Sequence, residues 1–548
     1  MQRPSLVSTL HTLAVLIVLA FTPALAAQQH DPHAGHNMTV GYVPREILER
    51  PVGLREGIGS LREAVTTASK EAQAFYDQGL VYLHSYQFIE AARSFNQALR
   101  LDPKMTMAYV GLSRTYSSFF DERPAREALE RAQALAAGAN EWERQRIRVR
   151  NAQIEAVADA RNRTKHEEYK RVIDEALGMF PKDAELWIIR GNAEESSPEG
   201  RGQRGLPASI AFYEAALRRV PDHLGAHHYL IHSYEMTGHM EEALFHGEAF
   251  ARLSPQAPHA QHMYGHDLRR VGRIEEAIVQ FRKAYDLEKT YHKTENISRD
   301  YDWHHGHNLS LLALCYQYQG RMKQAEELLR EENAVAPVGA GAESSRKDWP
   351  EFLINRARWP EAAEAARTMQ RGRWSPARAL GHVLVGSVHL AANDLDKART
   401  ELAAAEKETA AGSESVATYL EVLRGEIMLR SDRRAEGSAM LKDVQRKIRA
   451  LPGPDNWIMA LFRLEQIAHT ARAAGDWELA EFTARQMLEH DQFYAGAHYA
   501  LALVAEHRGD AGTQRREFAM AEKLWAKADP NLPELARIRE KLVVAESR

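Results

Sequence analysis

A period of 34 residues runs along this chain and narrows its fold more than any other feature. Gly238 and Gly272 stand one period apart, as do Ala243 and Ala277, and Gly475 and Gly509. The clearest unit is 74–103, AFYDQGLVYLHSYQFIEAARSFNQALRLDP, which carries Gly79, Ala91, Phe95, Ala98 and a closing Pro103. Small residues let two antiparallel helices approach closely, and a proline stops the second of them. Self-similarity at such a period marks stacked helical units, each too small to bury its apolar face alone.

Those five residues fall at positions 8, 20, 24, 27 and 32 of the tetratricopeptide repeat, which the unit resembles. Degenerate copies follow. Trp187 and Gly191 mark one first helix, and Gly386 with Ala398 another. Ala468, Gly475 and Ala480 mark a third, followed by Ala502, Gly509, Phe518 and Ala521. A longer charged helix is predicted over 141–159, and a capping helix over 532–544. The fold class is therefore all-α, a right-handed tetratricopeptide superhelix (an α-solenoid) of about eight to ten helix pairs. A composition dominated by Ala, Leu, Glu and Arg suits it.

The chain divides into five parts. Arg3, the apolar run Leu13 to Phe21 and the small-x-small Ala24-Leu25-Ala26 read as a signal peptide over 1–26, cut after Ala26. Residues 27–57 read as a flexible histidine-containing tail. An N-terminal array covers 58–335, a linker 336–347, and a C-terminal array with its capping helix 348–548. No later run approaches the ~20 apolar residues of a membrane span, so the mature chain is expected in the periplasm or outside the cell. A formal charge of −4 argues against nucleic acid as the main partner. Cys315 is the only cysteine, in an apolar run that predicts a buried, inert thiol. Two stretches interrupt the period. Residues 197–204, rich in Gly, Arg and Ser, are expected to loop out. Gly320 follows Gly272 by 48 positions, one period and 14 more; the surplus lies within TYHKTENISRDYDWHHG, a candidate lid.

Of 25 histidines, 13 fall between His223 and His307. In the repeat register, His228, His232 and Glu235 share one face of a first helix, His259, His262 and His266 that of the next, and His307 that of a third. Spacings of three and four residues keep them on one side, and neighbouring helices lie about 8–10 Å apart. Imidazoles so arranged point to a transition metal: zinc, copper or iron. Glu235 is a candidate ligand, orienting carboxylate or general base, and Asp300 and Asp302 in the surplus are candidate oxygen ligands. A metal-free groove whose imidazoles hydrogen-bond a peptide or an anion is the alternative. His227, His239 and His246 lie off the shared face, and His382, His389, His469 and His498 are isolated; these read as surface or satisfied core residues. In the tail, His30, His33, His36 and Met38 form a short tract suited to copper.

Three segments carry a narrower resemblance. HHYLIHSYE (227–235), HAQHMYGHDLRRVGRIEEA (259–277) and HNLSLLALCYQYQGR (307–321) are similar to shared segments of exported bacterial tetratricopeptide proteins, of the type HHYYIHxxE, HxxHMPSHIYxRVGR and HNxHFL. A more distant likeness is to eukaryotic tetratricopeptide repeat protein 38. The resemblance covers about residues 60 to 335. It implies that His228, His232, Glu235, His259, His262, His266 and His307 belong together, but implies no settled activity. Two departures stand out: Ser310 replaces the second histidine of the third segment, and Tyr264-Gly265 replaces Pro-Ser. The expected function is a scaffold that binds a protein, peptide or ligand in its concave groove, with a histidine-rich metal site. No nucleophile–base pair, phosphate loop or CxxC occurs. The alternatives are a metal-dependent hydrolase or oxidase, and periplasmic copper handling.

Overall fold

The computed structural model describes residues 43–119, 121–195, 204–336, 343–409, 414–451 and 454–546. Among them are 26 α-helices and no strand. A short helix, Arg45–Leu48, opens the described chain, and Pro533–Glu546 closes it. The other helices form twelve hairpins, from Lys70–His84 with Phe88–Leu101 to Ala495–Arg508 with Ala511–Leu524. The superhelix is thus longer than the eight to ten pairs expected, because hairpins such as Glu141–Ala158 with Arg163–Met179 lack the period's small residues. The signal segment, most of the tail and residues 196–203 lie outside the described residues. Residues 43–57, assigned to the flexible tail on sequence, are packed: Val43, Ile47, Leu48 and Val52 are buried, and Arg93 donates to the Pro51 carbonyl at 2.8 Å.

The packing explains the period. The Phe95 ring is fully buried between two first helices, and a Cβ added at either Gly79 or Gly111 would stand 2.5 Å from it. Burying such a ring stabilises by roughly 1.5–3 kcal/mol, so both glycines are required by its bulk. A second kind of glycine ends the first helices. Gly238, Gly272, Gly320, Gly475 and Gly509 have φ between 72° and 78°, the left-handed conformation that glycine adopts without strain. At the same place in the first hairpin stands Tyr86, with φ 57°. A side chain there costs roughly 1–2 kcal/mol.

The superhelix winds tightly enough to close on itself. The first helix of the first hairpin, Lys70–His84, packs against that of the fifth, Leu224–Thr237. Further along, Pro454–Ala473 packs against both Pro258–Arg270 and Trp303–Tyr318. The C-terminal cap returns to the middle: the Asp529 amide donates to the Gly320 carbonyl at 3.1 Å, and Arg356 pairs with Glu534 at 3.0 Å. One apolar cluster runs from Leu268 to Val504, past the stretch 336–347 expected as a linker. Cys315 is buried, and burial pushes its thiol up to about 12.

The surplus residues before His307 form no structureless lid. They lengthen the second helix of the sixth hairpin to Ile274–Glu295, then make one 3-10 turn, Arg299–Tyr301, before Trp303–Tyr318 begins. The packed N-terminal segment holds this extension, since Arg50 donates to the Glu295 carbonyl at 2.7 Å.

Candidate metal centre

Three first helices, Leu224–Thr237, Pro258–Arg270 and Trp303–Tyr318, deliver the histidines to the interior of the bore. Their boundaries are locally specified. The His223 ring accepts from the Ala226 amide, Pro258 occupies the first turn of its helix, and Asp302 caps the third by accepting from the His304 amide at 3.2 Å. His228, His232, Glu235, His259, His262 and His266 are all buried, and His307 is half-buried.

The imidazoles gather in two sets rather than one. In the first, His228, His232 and His259 bring one nitrogen each within 4.8 Å of the others, and His262, His266 and His307 do the same in the second. The His228 Nε2 lies 3.1 Å from that of His232 and 2.9 Å from that of His259. The His262 and His266 Nε2 atoms lie 2.9 Å apart. A metal with bonds of about 2.0 Å at tetrahedral angles would hold its nitrogens about 3.3 Å apart. These three pairs lie a few tenths of an ångström inside that spacing, and the other nitrogens of each set lie within 4.8 Å.

What lies behind each ring matters as much. The His228 Nδ1 donates to the His84 carbonyl at 2.7 Å, which leaves a lone pair on its inward Nε2. The His262 Nδ1 donates to the Asn308 side-chain oxygen at 2.9 Å, and Asn308 is itself oriented by donating to the Phe281 carbonyl at 3.0 Å. Glu235 stands between the sets, 3.4 Å from the His266 Nδ1 and 3.8 Å from the His232 Nδ1. Burial alone would raise its carboxyl, but the two imidazoles overcome that and hold it at about 2. Burial and neighbouring rings push His259 and His262 well below the usual imidazole value. Such partners behind the rings are the arrangement that fixes tautomer and ring orientation in metal sites.

The other candidates lie elsewhere. Asp302 caps its helix and pairs with His292 at 2.8 Å, while Asp300 accepts from the Ala336 amide at 3.0 Å and from Ser298. Neither belongs to a histidine set. Ser310 donates to Asp348 at 2.5 Å, toward the next hairpin. His227 pairs with His246 at 2.8 Å, apart from the sets. His30, His33, His36 and Met38 lie outside the described residues.

Several residues escaped the sequence reading. His304 packs between the sets, its ring 4.8 Å from His259 and 4.5 Å from His262, with its Nδ1 hydrogen-bonded to Glu288. The Tyr86 ring lies 4.4 Å from His228 and 5.0 Å from His259, so the strained backbone noted above presses an aromatic wall against the first set. A tyrosine where the repeat calls for glycine was the available signal. A third trio, His84, Glu185 and His223, comes together through the superhelical closure. There Glu185 binds His84 at 2.8 Å and Arg114 at 2.6 Å, and the buried Arg146 pairs with Glu63 and Asp183 beside it. Its carboxylate is already held by the Arg114 guanidinium and the His84 imidazole, as part of a wider ion-pair network with Arg146.

A cleft with about 480 Å³ of free space, counted to its open mouth, runs along Tyr86, Phe88, Phe119, Tyr291, Tyr301 and Trp303 and ends at His259 and His304.

A scan against protein-family models finds no match, and no curated protein matches. Among solved structures, a human IFIT1 dimer with PPP-AAAA aligns at a TM-score of 0.34 and 12% identity, over 81% of this chain and 89% of that one. The APC/C hetero-tetramer Cut9-Hcn1 aligns at 0.32 and 12%, over 87% and 97%. The tetratricopeptide-type fold stands on the hairpins themselves. The narrower likeness rests on the three histidine-bearing segments alone.

Proposed function

We propose that this chain is an exported repeat scaffold whose N-terminal bore binds two transition-metal ions, one in each tri-imidazole set. The single observation that carries the reading is the pairing of inward Nε2 atoms at 2.9–3.1 Å with back nitrogens engaged by a carbonyl, an amide and a carboxylate. Each such contact is an N–H···N bond when one ring carries its proton on Nε2, and loss of that proton turns the same pair of nitrogens into ligands at the spacing a cation needs. Neutral imidazoles without thiolates suit zinc, copper or iron. Three nitrogens leave a position open for water or a ligand. Glu235 faces the back nitrogens, which favours an orienting role over that of a base.

The rival reading, a metal-dependent hydrolase or oxidase, gains support from one feature. The histidines are roofed over and reached by a cleft, rather than lining a long open trough. Protein or peptide binding then belongs to the remaining repeat surfaces, and copper delivery from the 27–42 tail is a further part of the proposal.

Elemental analysis of the full mature protein tests the assignment. Two equivalents of transition metal are expected in wild type, one in His232→Ala, one in His262→Ala and none in the double variant. A wild type without stoichiometric metal, matched in stability by the double variant, would sink it.

A further inference from the structure

The cleft beside the histidine sets has walls of an unusual kind. Six aromatic rings line it, and several pack on one another: Tyr86 on Phe88 at 5.5 Å, Phe88 edge-on to Phe119 at 6.0 Å, and Tyr86 near Trp303 at 6.4 Å. Faces and edges of rings offer a planar ring the stacked and edge-on contacts it prefers. The cleft is too small for a folded segment or a long peptide.

Its inner end is polar and directional. Glu288, fully buried, bonds the Nδ1 atoms of both His304 and His305, the latter at 2.9 Å. In the neutral His304 ring the Nδ1–H donates to that carboxylate, and Nε2 is then the acceptor. The Nε2 is buried and has no hydrogen-bond partner among the described residues, and the residue is 5% exposed. An acceptor left so is destabilising unless something donates to it. Glu288 and Asp302 also sit on the cleft wall, and two carboxylates there disfavour an anion. These walls suit a flat, uncharged ligand that can donate a hydrogen bond, a need that an O–H meets.

We infer that this cleft binds a small phenol, its ring between the aromatic walls and its hydroxyl donating to His304 Nε2. Because His304 lies between His259 and His262, the phenol oxygen arrives beside both proposed metal seats. Only that last point rests on the metal reading; the cleft and its acceptor stand without any ion.

The test is a fluorine NMR titration of the full mature protein with 4-fluorophenol, run after chelation and again with metal restored. Saturable binding is expected in both forms, displaced by unlabelled phenol but not by cyclohexanol or benzoate. Phe119→Ala/Tyr301→Ala, which removes two walls remote from the imidazole nitrogens, should weaken binding about tenfold and leave metal content unchanged. His304→Gln, which cannot offer the same acceptor geometry, should weaken phenol more than it weakens fluorobenzene. Absence of saturable binding in both forms overturns the inference. So does equal competition by cyclohexanol, or undiminished binding in the double variant. Phenol binding by a protein that carries no metal sinks the metal seats and keeps the cleft. Two metal equivalents without phenol binding do the reverse.

Discussion

The two ends of this superhelix are built from the same hairpin, yet their bores differ in chemistry. In the N-terminal half the inward positions carry imidazoles in contact with one another, and the cleft beside them ends at His259 and His304. In the C-terminal half lies an open cavity with about 1160 Å³ of free space counted to its mouth, lined by Asn355, Arg356, Glu426, Glu465, His469 and Tyr494 among others. Most of its charged groups are settled individually: Arg356 on Glu534 at 3.0 Å, Tyr494 on Glu465 at 2.7 Å and Thr470 on Glu426 at 2.8 Å. The histidines of this half, outside the cavity, are dispersed as well. His382 pairs with Glu401, His498 with Glu517, and His507 stacks on Trp477 at 4.0 Å. The lesson is that the repeat supplies inward positions, whereas function depends on whether neighbouring repeats fill them with groups that need a common partner.

Chelation should separate the halves most sharply. A seat at a metal concentration 100-fold above its Kd stabilises by about 2.7 kcal/mol, and two seats by about twice that. Hydrogen exchange is the measurement. Amides of Leu224–Thr237 and Pro258–Arg270 should lose protection when metal is removed, while those of Pro454–Ala473 hold theirs. Uniform loss along the chain would break the contrast.

Next in size comes the third buried trio, whose carboxylate is already paired with Arg114. Glu185→Ala leaves Arg114 and His84 without their carboxylate, which should cost about 3–5 kcal/mol in urea unfolding. Elemental analysis of the refolded variant should still find two equivalents. Loss of a third would show that this trio also holds an ion.

A pH effect marks the other bore. Burial pushes the Glu426 carboxyl up from 4.5 to about 7, against the smaller opposing pull of Thr470 and Arg430. A carboxyl raised in this way favours the folded chain while protonated. That contribution is full below about pH 4.5 and is lost as pH rises through about 7. Glu426→Gln cannot ionise and keeps an acceptor for Thr470. It should match wild type in acid and exceed it above pH 7 by up to about 3 kcal/mol. Urea midpoints at pH 5 and pH 8 give the comparison, and a constant gap between them would refute it.

The hairpin stack was readable from period alone, because Phe95 between Gly79 and Gly111 is a contact between one unit and the next. The shared face of the imidazoles was readable for the same reason, being a matter of phase along single helices. The division into two sets was not, since it depends on rings from three helices meeting at distances that register does not specify. Contacts made by superhelical closure were further out of reach. The His84 carbonyl that orients His228 lies 144 residues away, and nothing in a 34-residue period says which turns will touch. His304 was hidden by its place in a segment that looked like a loop and proved to be helix. Tyr86, by contrast, broke the pattern visibly, and a residue that violates the repeat where strain results was a clue within the sequence.

The finest distinction concerns the two seats themselves. Glu235 stands behind one imidazole from each, His232 in the first and His266 in the second. Glu235→Gln preserves shape but removes the charge that orients both rings, and loss of such a partner weakens metal affinity by about tenfold to a hundredfold. The two seats should weaken together. Asn308 orients His262 of the second set, so Asn308→Ala should weaken the second seat and spare the first. Competition titrations with a chromophoric chelator resolve two affinities in each variant. Equal loss in Glu235→Gln with unequal loss in Asn308→Ala is the expected pair of outcomes. If Glu235→Gln affects one seat alone, the carboxylate belongs to that seat, and the two sets are independent sites that merely share a bore.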